Sequence, residues 1–204
     1  MFSGIVECKG KVSKIAKNKD YFELEIAAPS GFNKNLKRGA SVAVDGVCLT
    51  SKDHGKNGLK FDVISETISR TKFSNLKVDD EVNLERSIKA SSEIGGHLMS
   101  GHIQCTGTIV KVVTKDEVKD IRVEIPSDYS HYLIEKGYIG INGCSLTIGV
   151  IENNFFYIHL IPETLEVTNI SNLKDGDQVN IEVDQNTVAI VDTVKSFLLA
   201  QKSS

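Results

Sequence analysis

Cys48 is the residue of this chain with the most direct chemistry, a thiol just after a turn glycine in Asp45-Gly46-Val47-Cys48-Leu49-Thr50. A thiolate attacks electrophilic carbon, but a free cysteine also serves as a small buried hydrophobe. His102 interrupts an otherwise apolar strand start and could carry a proton, because imidazole titrates near neutral pH. The plainer reading is a satisfied core histidine. His97 and His102 stand five apart, a spacing that suits neither one helical face nor one strand face. No cysteine or carboxylate stands at ligand spacing beside them, so no metal site is expected. Glu66 and Glu163 could handle protons or simply cap helices. Asp184 follows the last strand, where a turn aspartate is ordinary. The phosphate-loop, dinucleotide and hydrolase-elbow motifs do not occur.

These residues belong to a pattern that the chain writes twice, 97 positions apart. Residues 2–12, FSGIVECKGKV, align without a gap on residues 99–109, MSGHIQCTGTI. Asp45-Gly46-Val47-Cys48-Leu49-Thr50 meets Asn142-Gly143-Cys144-Ser145-Leu146-Thr147, and Glu66-Thr67 meets Glu163-Thr164. SNLKVDDEVNLE (74–85) meets SNLKDGDQVNIE (171–182). One long period present twice is a tandem duplication, since solenoids use shorter units in larger number. Two copies of one pocket could hold two copies of one ligand. Positions alike in both copies serve the shared fold or a shared binding mode. Positions that differ divide the labour: Phe2 against Met99, Ile5 against His102, Cys48 against Ser145, Ser87 against Asp184.

The elements that must position these residues read mostly as strands. Ile5–Val12, Tyr21–Ile26, Ala40–Val44, Cys48–Ser51, Leu59–Ile64 and Glu81–Glu85 are short segments, several alternating apolar with polar, divided by clusters such as 17–20 and DHGKNG (53–58). The second copy offers Gln104–Val112, Asp120–Ile125, Ile139–Ile141, Ser145–Val150, Phe155–Ile161 and Gln178–Val183. Six short strands in each half predict an all-β chain of two small closed barrels. Helical turns are expected near 29–36 and 126–134, and after Ser65 and Pro162, where proline suits a first helical turn. The predicted domains are 1–96, including a linker at 86–96 that ends in Gly95-Gly96, then 97–186, then a terminal segment 187–204. In that segment Ile190, Val191, Val194, Phe197 and Leu198 share one helical face. Such a face either packs on its own barrel or meets another subunit.

Composition removes several classes of function. The chain has 204 residues, a net charge of −3 and no tryptophan, and its basic residues are scattered. Nucleic acid, an anionic membrane and a base-stacking platform are therefore not expected. No apolar run approaches the ~20 residues of a membrane span. Cys8, Cys48, Cys105 and Cys144 form no CxxC pair, and the N-terminus lacks the pattern of a signal peptide. Free thiols and a cytoplasmic location are expected.

The opening MFSGIVE, GGHLMSGH at 95–102, the DGVCLT and NGCSLT pair, and HLIPETLE at 159–166 together resemble riboflavin synthase of the α type. The resemblance covers the whole chain. It implies two six-stranded Greek-key barrels plus a C-terminal helix, a homotrimer held largely by those helices, and no metal or organic cofactor. It also implies a transferase reaction in which two molecules of 6,7-dimethyl-8-ribityllumazine exchange a four-carbon unit, giving riboflavin and 5-amino-6-ribitylamino-pyrimidinedione. The active site would form between the first barrel of one subunit and the second barrel of its neighbour, and lumazine synthase is a further partner to consider.

The resemblance places ligand contacts at Gly4, Ile5, Val6, Cys48, Leu49, Thr50, Asp62, Val63, Ile64, Ser65, Glu66 and Thr67 in the first barrel. In the second it places them at Gly101, His102, Ile103, Ser145, Leu146, Thr147, Leu160, Ile161, Pro162, Glu163, Thr164 and Leu165, with Lys136 reaching across from another chain. Phe2, Ser41, Cys48, His102, Ser145, Thr147 and Asp184 are the expected catalytic set, with His102 handling protons helped by Ser145 and Thr147. Lumazine-binding antenna proteins share the duplication but depart from this pattern in the second repeat, which favours the enzyme. A flavin barrel of an oxidoreductase would need a nucleotide-binding βαβ domain, which the strand pattern does not contain.

Overall fold

The computed structural model describes residues 1–52 and 58–202; most of the expected 53–58 loop lies outside them. The first repeat runs β1 (Cys8–Lys17), β2 (Tyr21–Ala27), β3 (Ser41–Val44), β4 (Val47–Thr50), β5 (Gly58–Ile64), α1 (Ser65–Arg70) and β6 (Glu81–Arg86). The second runs β7 (Cys105–Lys115), β8 (Val118–Glu124), β9 (Tyr138–Ile141), β10 (Cys144–Thr147), β11 (Ile151–Glu152), β12 (Phe155–Leu160), α2 (Pro162–Val167) and β13 (Gln178–Val183). Helix α3 (Gln185–Lys202) follows. All pairings are antiparallel, in the orders β4-β3-β6-β1-β2-β5 and β10-β9-β13-β7-β8-β12-β11. Because β6 sits between β3 and β1, and β13 between β9 and β7, each sheet is a Greek key.

Period-two alternation builds each core. In β5, Leu59, Phe61 and Val63 point inward while Lys60, Asp62 and Ile64 point out. Truncating the fully buried Phe61 to alanine would cost about 3–5 kcal/mol. Asp45-Gly46 and Asn142-Gly143 form two-residue hairpin turns with positive φ at both residues, the geometry that Asp-Gly and Asn-Gly favour. Even the irregularities are duplicated: β1 shifts register between Val12 and Lys14, and β7 between Ile109 and Lys111.

Four expectations change. Residues 29–36 form turns and no helix, because Gly31 and Asn35 take positive φ that a right-handed helix cannot include. Strand β10 ends at Thr147, and the chain then adds the short β11, so the second sheet has seven strands. Helix α3 starts two residues before the expected 187. Strand β1 begins at Cys8 instead of Ile5, because residues 2–6 do something else, described next. Among the described residues no helix is long and apolar enough to cross a membrane.

The repeats meet around a local two-fold axis. The turns touch there: a Cβ on Gly46 would lie 2.7 Å from the Gly143 nitrogen, and one on Gly143 would lie 2.7 Å from the Gly46 nitrogen. Asn83 Nδ2 donates to the Asn142 carbonyl and Asn180 Nδ2 to the Asp45 carbonyl, both at 2.9 Å. Matched positions nevertheless differ in charge. Asp45 pairs with Lys72 at 2.8 Å, where the other repeat places Asn142 and Asn169.

Candidate active site

Each repeat opens with a segment that crosses to the other barrel. Phe2 and Met99, matched positions, pair as an antiparallel bridge with N···O distances of 2.8 and 3.0 Å. Beyond it, the Ser145 amide donates to the Gly4 carbonyl at 2.8 Å and the Cys48 amide to the Gly101 carbonyl at 2.9 Å. Val6 is consequently buried in the core of the second barrel, and Ile103 packs on the core of the first. Two buried carboxylates hold the crossings. Glu85 of β6 accepts from Ser3 N at 2.6 Å, Ser3 Oγ at 2.8 Å and Gly4 N at 3.1 Å. Glu182 of β13 repeats this with Ser100 N at 2.6 Å, Ser100 Oγ at 2.8 Å and Gly101 N at 3.0 Å.

The crossing redistributes the expected site residues. Gly101, His102 and Ile103 belong with Cys48, Leu49 and Thr50 of the first barrel, not with Ser145. Gly4, Ile5 and Val6 belong with Ser145, Leu146 and Thr147 of the second barrel. His102 thus follows directly on the residue that holds the Cys48 amide, and its expected helpers Ser145 and Thr147 lie in the other site. Sequence alignment of the repeats cannot show this, because it pairs like with like and says nothing of which barrel receives which segment.

Strand alternation then decides which side chains face out. Cys48 and Ser145 are partly exposed and Thr50 and Thr147 are exposed, while Leu49 and Leu146 are buried. Val63, Leu160 and Val6 are also core residues, so they frame the sites from beneath. Ser41 pairs across β3–β4 with Thr50. On the rim of the first site Asp62 pairs with Lys52 at 2.8 Å, Glu66 with Arg70 at 3.2 Å, and Ser65 Oγ donates to the Asp20 carbonyl. Thr67 and Thr164 each turn a carbonyl to the hydroxyl of the residue four places on. Ile161, Pro162 and Glu163 are exposed, with Leu165 half-buried at the start of the same helix.

Two members of the expected catalytic set have structural duties, and the expected ligand contact Lys136 sits at a turn. Phe2 is buried with Ala43 and Met99 against Cys48, so it orders the crossing and cannot stack on a ligand from there. Asp184 Oδ2 accepts from Thr187 N and Oγ1, both at 2.9 Å, which makes it the N-cap of α3. Lys136 is exposed at a turn before β9, with φ of 64° and its amide on the Ile148 carbonyl. A cleft of about 710 Å³ opens beside these sites, lined among others by Ser3, Ile5, Ala40, Glu85, Ser87 and Gly95; Cys48, His102 and Ser145 are not part of it.

Residue types alone missed two features. The signal for Glu85 and Glu182 is a pair of matched carboxylates in VNLE and VNIE, on the strand face opposite the core residues Val82, Leu84, Val179 and Ile181. His97 is buried, stacks on Tyr138 at 5.1 Å and 14°, and places Nδ1 2.7 Å from Ser145 Oγ; nothing in its spacing foretold that.

Burial sets the protonation states. It pushes the Glu85 carboxyl up to about 6 despite the donors of Ser3 and Gly4, and raises Glu182 in the same way. Burial lowers His97, against the charge of Asp184, so its imidazole is neutral at pH 7. The Cys8, Cys105 and Cys144 thiols rise to about 11, 12 and 12, which leaves them protonated and inert.

Comparison with known proteins agrees with this geometry. The Lumazine binding domain matches residues 3–87 and again 100–184, the same offset as the repeat. Riboflavin synthase of Escherichia coli (strain K12) is 42% identical over 205 residues, covering 100% of this chain and 96% of that protein. Riboflavin synthase of Chlamydia pneumoniae is 40% identical over 198 residues, covering 97% of each. Among solved structures, LumP complexed with riboflavin superposes with a TM-score of 0.83 at 30% identity, covering 90% of this chain and 99% of that one. LumP complexed with 6,7-dimethyl-8-(1'-D-ribityl) lumazine gives 0.82 at 29% over the same shares. Two lumazine-binding domains joined by exchanged opening segments, with full-length likeness at this level, place the chain in the riboflavin synthase family.

Proposed function

We propose that this chain is a transferase that makes riboflavin from two molecules of 6,7-dimethyl-8-ribityllumazine, releasing 5-amino-6-ribitylamino-pyrimidinedione. The observation that carries the reading is the pair of exchanged crossings. They create two sites of one shape with unlike side chains, Cys48 and His102 in one, Ser145 and Ile5 in the other. A reaction whose donor and acceptor are the same compound needs that combination of likeness and difference. The reaction is redox-neutral: a four-carbon unit leaves one ring system and joins the other, so the protein's work is positioning and proton transfer. Holding two reactants in register can supply up to roughly 7–11 kcal/mol of the barrier.

His102, next in the chain to the Gly101 that holds the Cys48 amide, is suited to take and return a proton. Cys48 lies where it can contact a bound ring. Ser145, Thr147 and Thr50 offer hydroxyls, and the rims at 62–67 and 160–165 offer backbone groups for the ribityl chain. Following the family resemblance, productive pairing brings the first barrel of one subunit against the second barrel of another, with Lys136 reaching across. A homotrimer is supported by α3, where Ile190, Val194, Phe197, Leu198 and Leu199 are exposed, while the helix meets the barrel through Val188, through Asp192, which accepts from Tyr132 Oη at 2.6 Å, and through Lys195 over the Tyr132 ring. Association with lumazine synthase and a cytoplasmic location accord with this reading.

The decisive experiment is incubation of the purified protein with 6,7-dimethyl-8-ribityllumazine alone, following riboflavin by its absorbance. The LumP likeness keeps a second reading in view, that of a ligand-binding protein without turnover. Tight binding with no riboflavin formed would favour that reading and sink the enzyme.

A further inference from the structure

His97 is a conspicuous polar residue that the reaction as described does not use. Its ring is buried in the segment joining the repeats and lies parallel to Tyr138, while Nδ1 stands 2.7 Å from Ser145 Oγ. The contact is built from three directions. Tyr138 sits on β9, which pairs with β10 carrying Ser145. Gly96, just before His97, has no Cβ because one would lie 2.6 Å from the Ser145 Cβ. The Ser145 amide is fixed by Gly4. Among the described residues Nε2 is buried with no hydrogen-bond partner.

That orphan nitrogen decides the direction of the hydrogen bond. In a neutral imidazole one nitrogen carries the proton and the other accepts. A proton on Nε2 would bury an unpaired N–H donor, the state that folded proteins avoid most strictly. A proton on Nδ1 leaves only an unpaired lone pair at Nε2, which is the lesser cost. The burial that keeps the ring neutral makes this choice binding. His97 Nδ1–H therefore donates to Ser145 Oγ, and the hydroxyl's own proton is left to point elsewhere.

We propose that His97 is a positioning residue that holds Ser145 as an outward hydrogen-bond donor, so the second site recognises a ligand through an acceptor, a carbonyl oxygen or ring nitrogen of a heterocycle. Ser145 then acts neither as nucleophile nor as base, since its oxygen is occupied by His97 and its proton is the group on offer. Cys48, the matched residue, carries no side-chain hydrogen bond among the described residues, so the device belongs to one site and contributes to their division of labour. The inference rests on the reading of Ser145 as a ligand contact.

The test has two arms. Nitrogen-15 histidine NMR of the full chain, with the His97 signals assigned by their absence from H97N, reads the tautomer directly. The expected pattern is a pyrrole-like Nδ1 and a pyridine-like Nε2; the reverse overturns the proposal. In steady-state kinetics with 6,7-dimethyl-8-ribityllumazine, H97A should lose on the order of 10²-fold in kcat, the scale of a misplaced contact. H97N, whose amide nitrogen reaches the Nδ1 position and donates, should recover most of that loss. Equal defects in H97A and H97N, at equal thermal stability, count against it. Full activity in S145A would remove the site reading itself while leaving the tautomer measurement standing, so the two failures are distinguishable.

Discussion

The Cys48 amide donates to the Gly101 carbonyl at 2.9 Å, so a wall of the site proposed in the first repeat is supplied by the second repeat. Its mirror is the Ser145 amide on the Gly4 carbonyl at 2.8 Å. Neither proposed site is complete within its own barrel, and on that reading the unit of function is the pair.

The clamps that hold the crossings should matter separately. In Glu182→Gln the new amide group would face an N–H donor of Ser100 or Gly101, loosening the wall beside Cys48. Glu85→Gln would do the same beside Ser145. Each is expected to cost about 1–3 kcal/mol and to weaken one ligand site more than the other. Titration calorimetry with riboflavin, read for stoichiometry and affinity, checks this; identical effects of both variants would contradict the assignment of walls to sites.

Glu85 also makes stability depend on pH. Its carboxyl is raised to about 6 in the fold from an ordinary 4.5, so the folded state binds the proton more readily than the unfolded chain. Its ionisation therefore costs stability as pH rises from 4.5 through 6, by about 2 kcal/mol in total. Urea midpoints measured from pH 4.5 to 6.5 should fall more steeply for the wild type than for Glu85→Gln. Parallel curves would show that Glu85 does not titrate in this window.

His102→Gln should lower kcat far more than it changes KM, by about 10²-fold or more if the imidazole moves a proton. Cys48→Ser, in the same site, should give a defect that is not additive with it. Additive losses in the double variant would mean that the two do not act together.

Helix α3 should govern assembly. A chain ending near residue 187 loses the exposed Ile190, Val194, Phe197, Leu198 and Leu199 and is expected to sediment as a monomer with little turnover. A truncated chain that stays trimeric would refute the helix as the assembly element.

Gly143→Ala places a Cβ 2.7 Å from the Gly46 nitrogen at a residue with φ of 80°. The left-handed conformation alone costs about 1–2 kcal/mol, and the contact between the turns adds to it. Thermal unfolding gives the loss; an unchanged midpoint would remove these turns as the seam of the two repeats.

Much of this protein is legible in one dimension. The 97-residue offset, the Asp45-Gly46 and Asn142-Gly143 turns and the alternation in β5 follow from periods and backbone preferences that act over a few residues. They determine two Greek-key barrels, the inward and outward faces of β4 and β10, and the mismatches Cys48 against Ser145 and Ile5 against His102. The tertiary structure decided which mismatch meets which. Residues 2–6 and 99–103 leave their own barrels because Glu85 and Glu182 hold them with buried hydrogen bonds and because Val6 and Ile103 gain a core in the other repeat. Those contacts span some eighty positions of chain, and no local pattern encodes them. The placement of His102 next to the Gly101 that holds the Cys48 amide, and that of His97 against Ser145 Oγ, are consequences of that exchange.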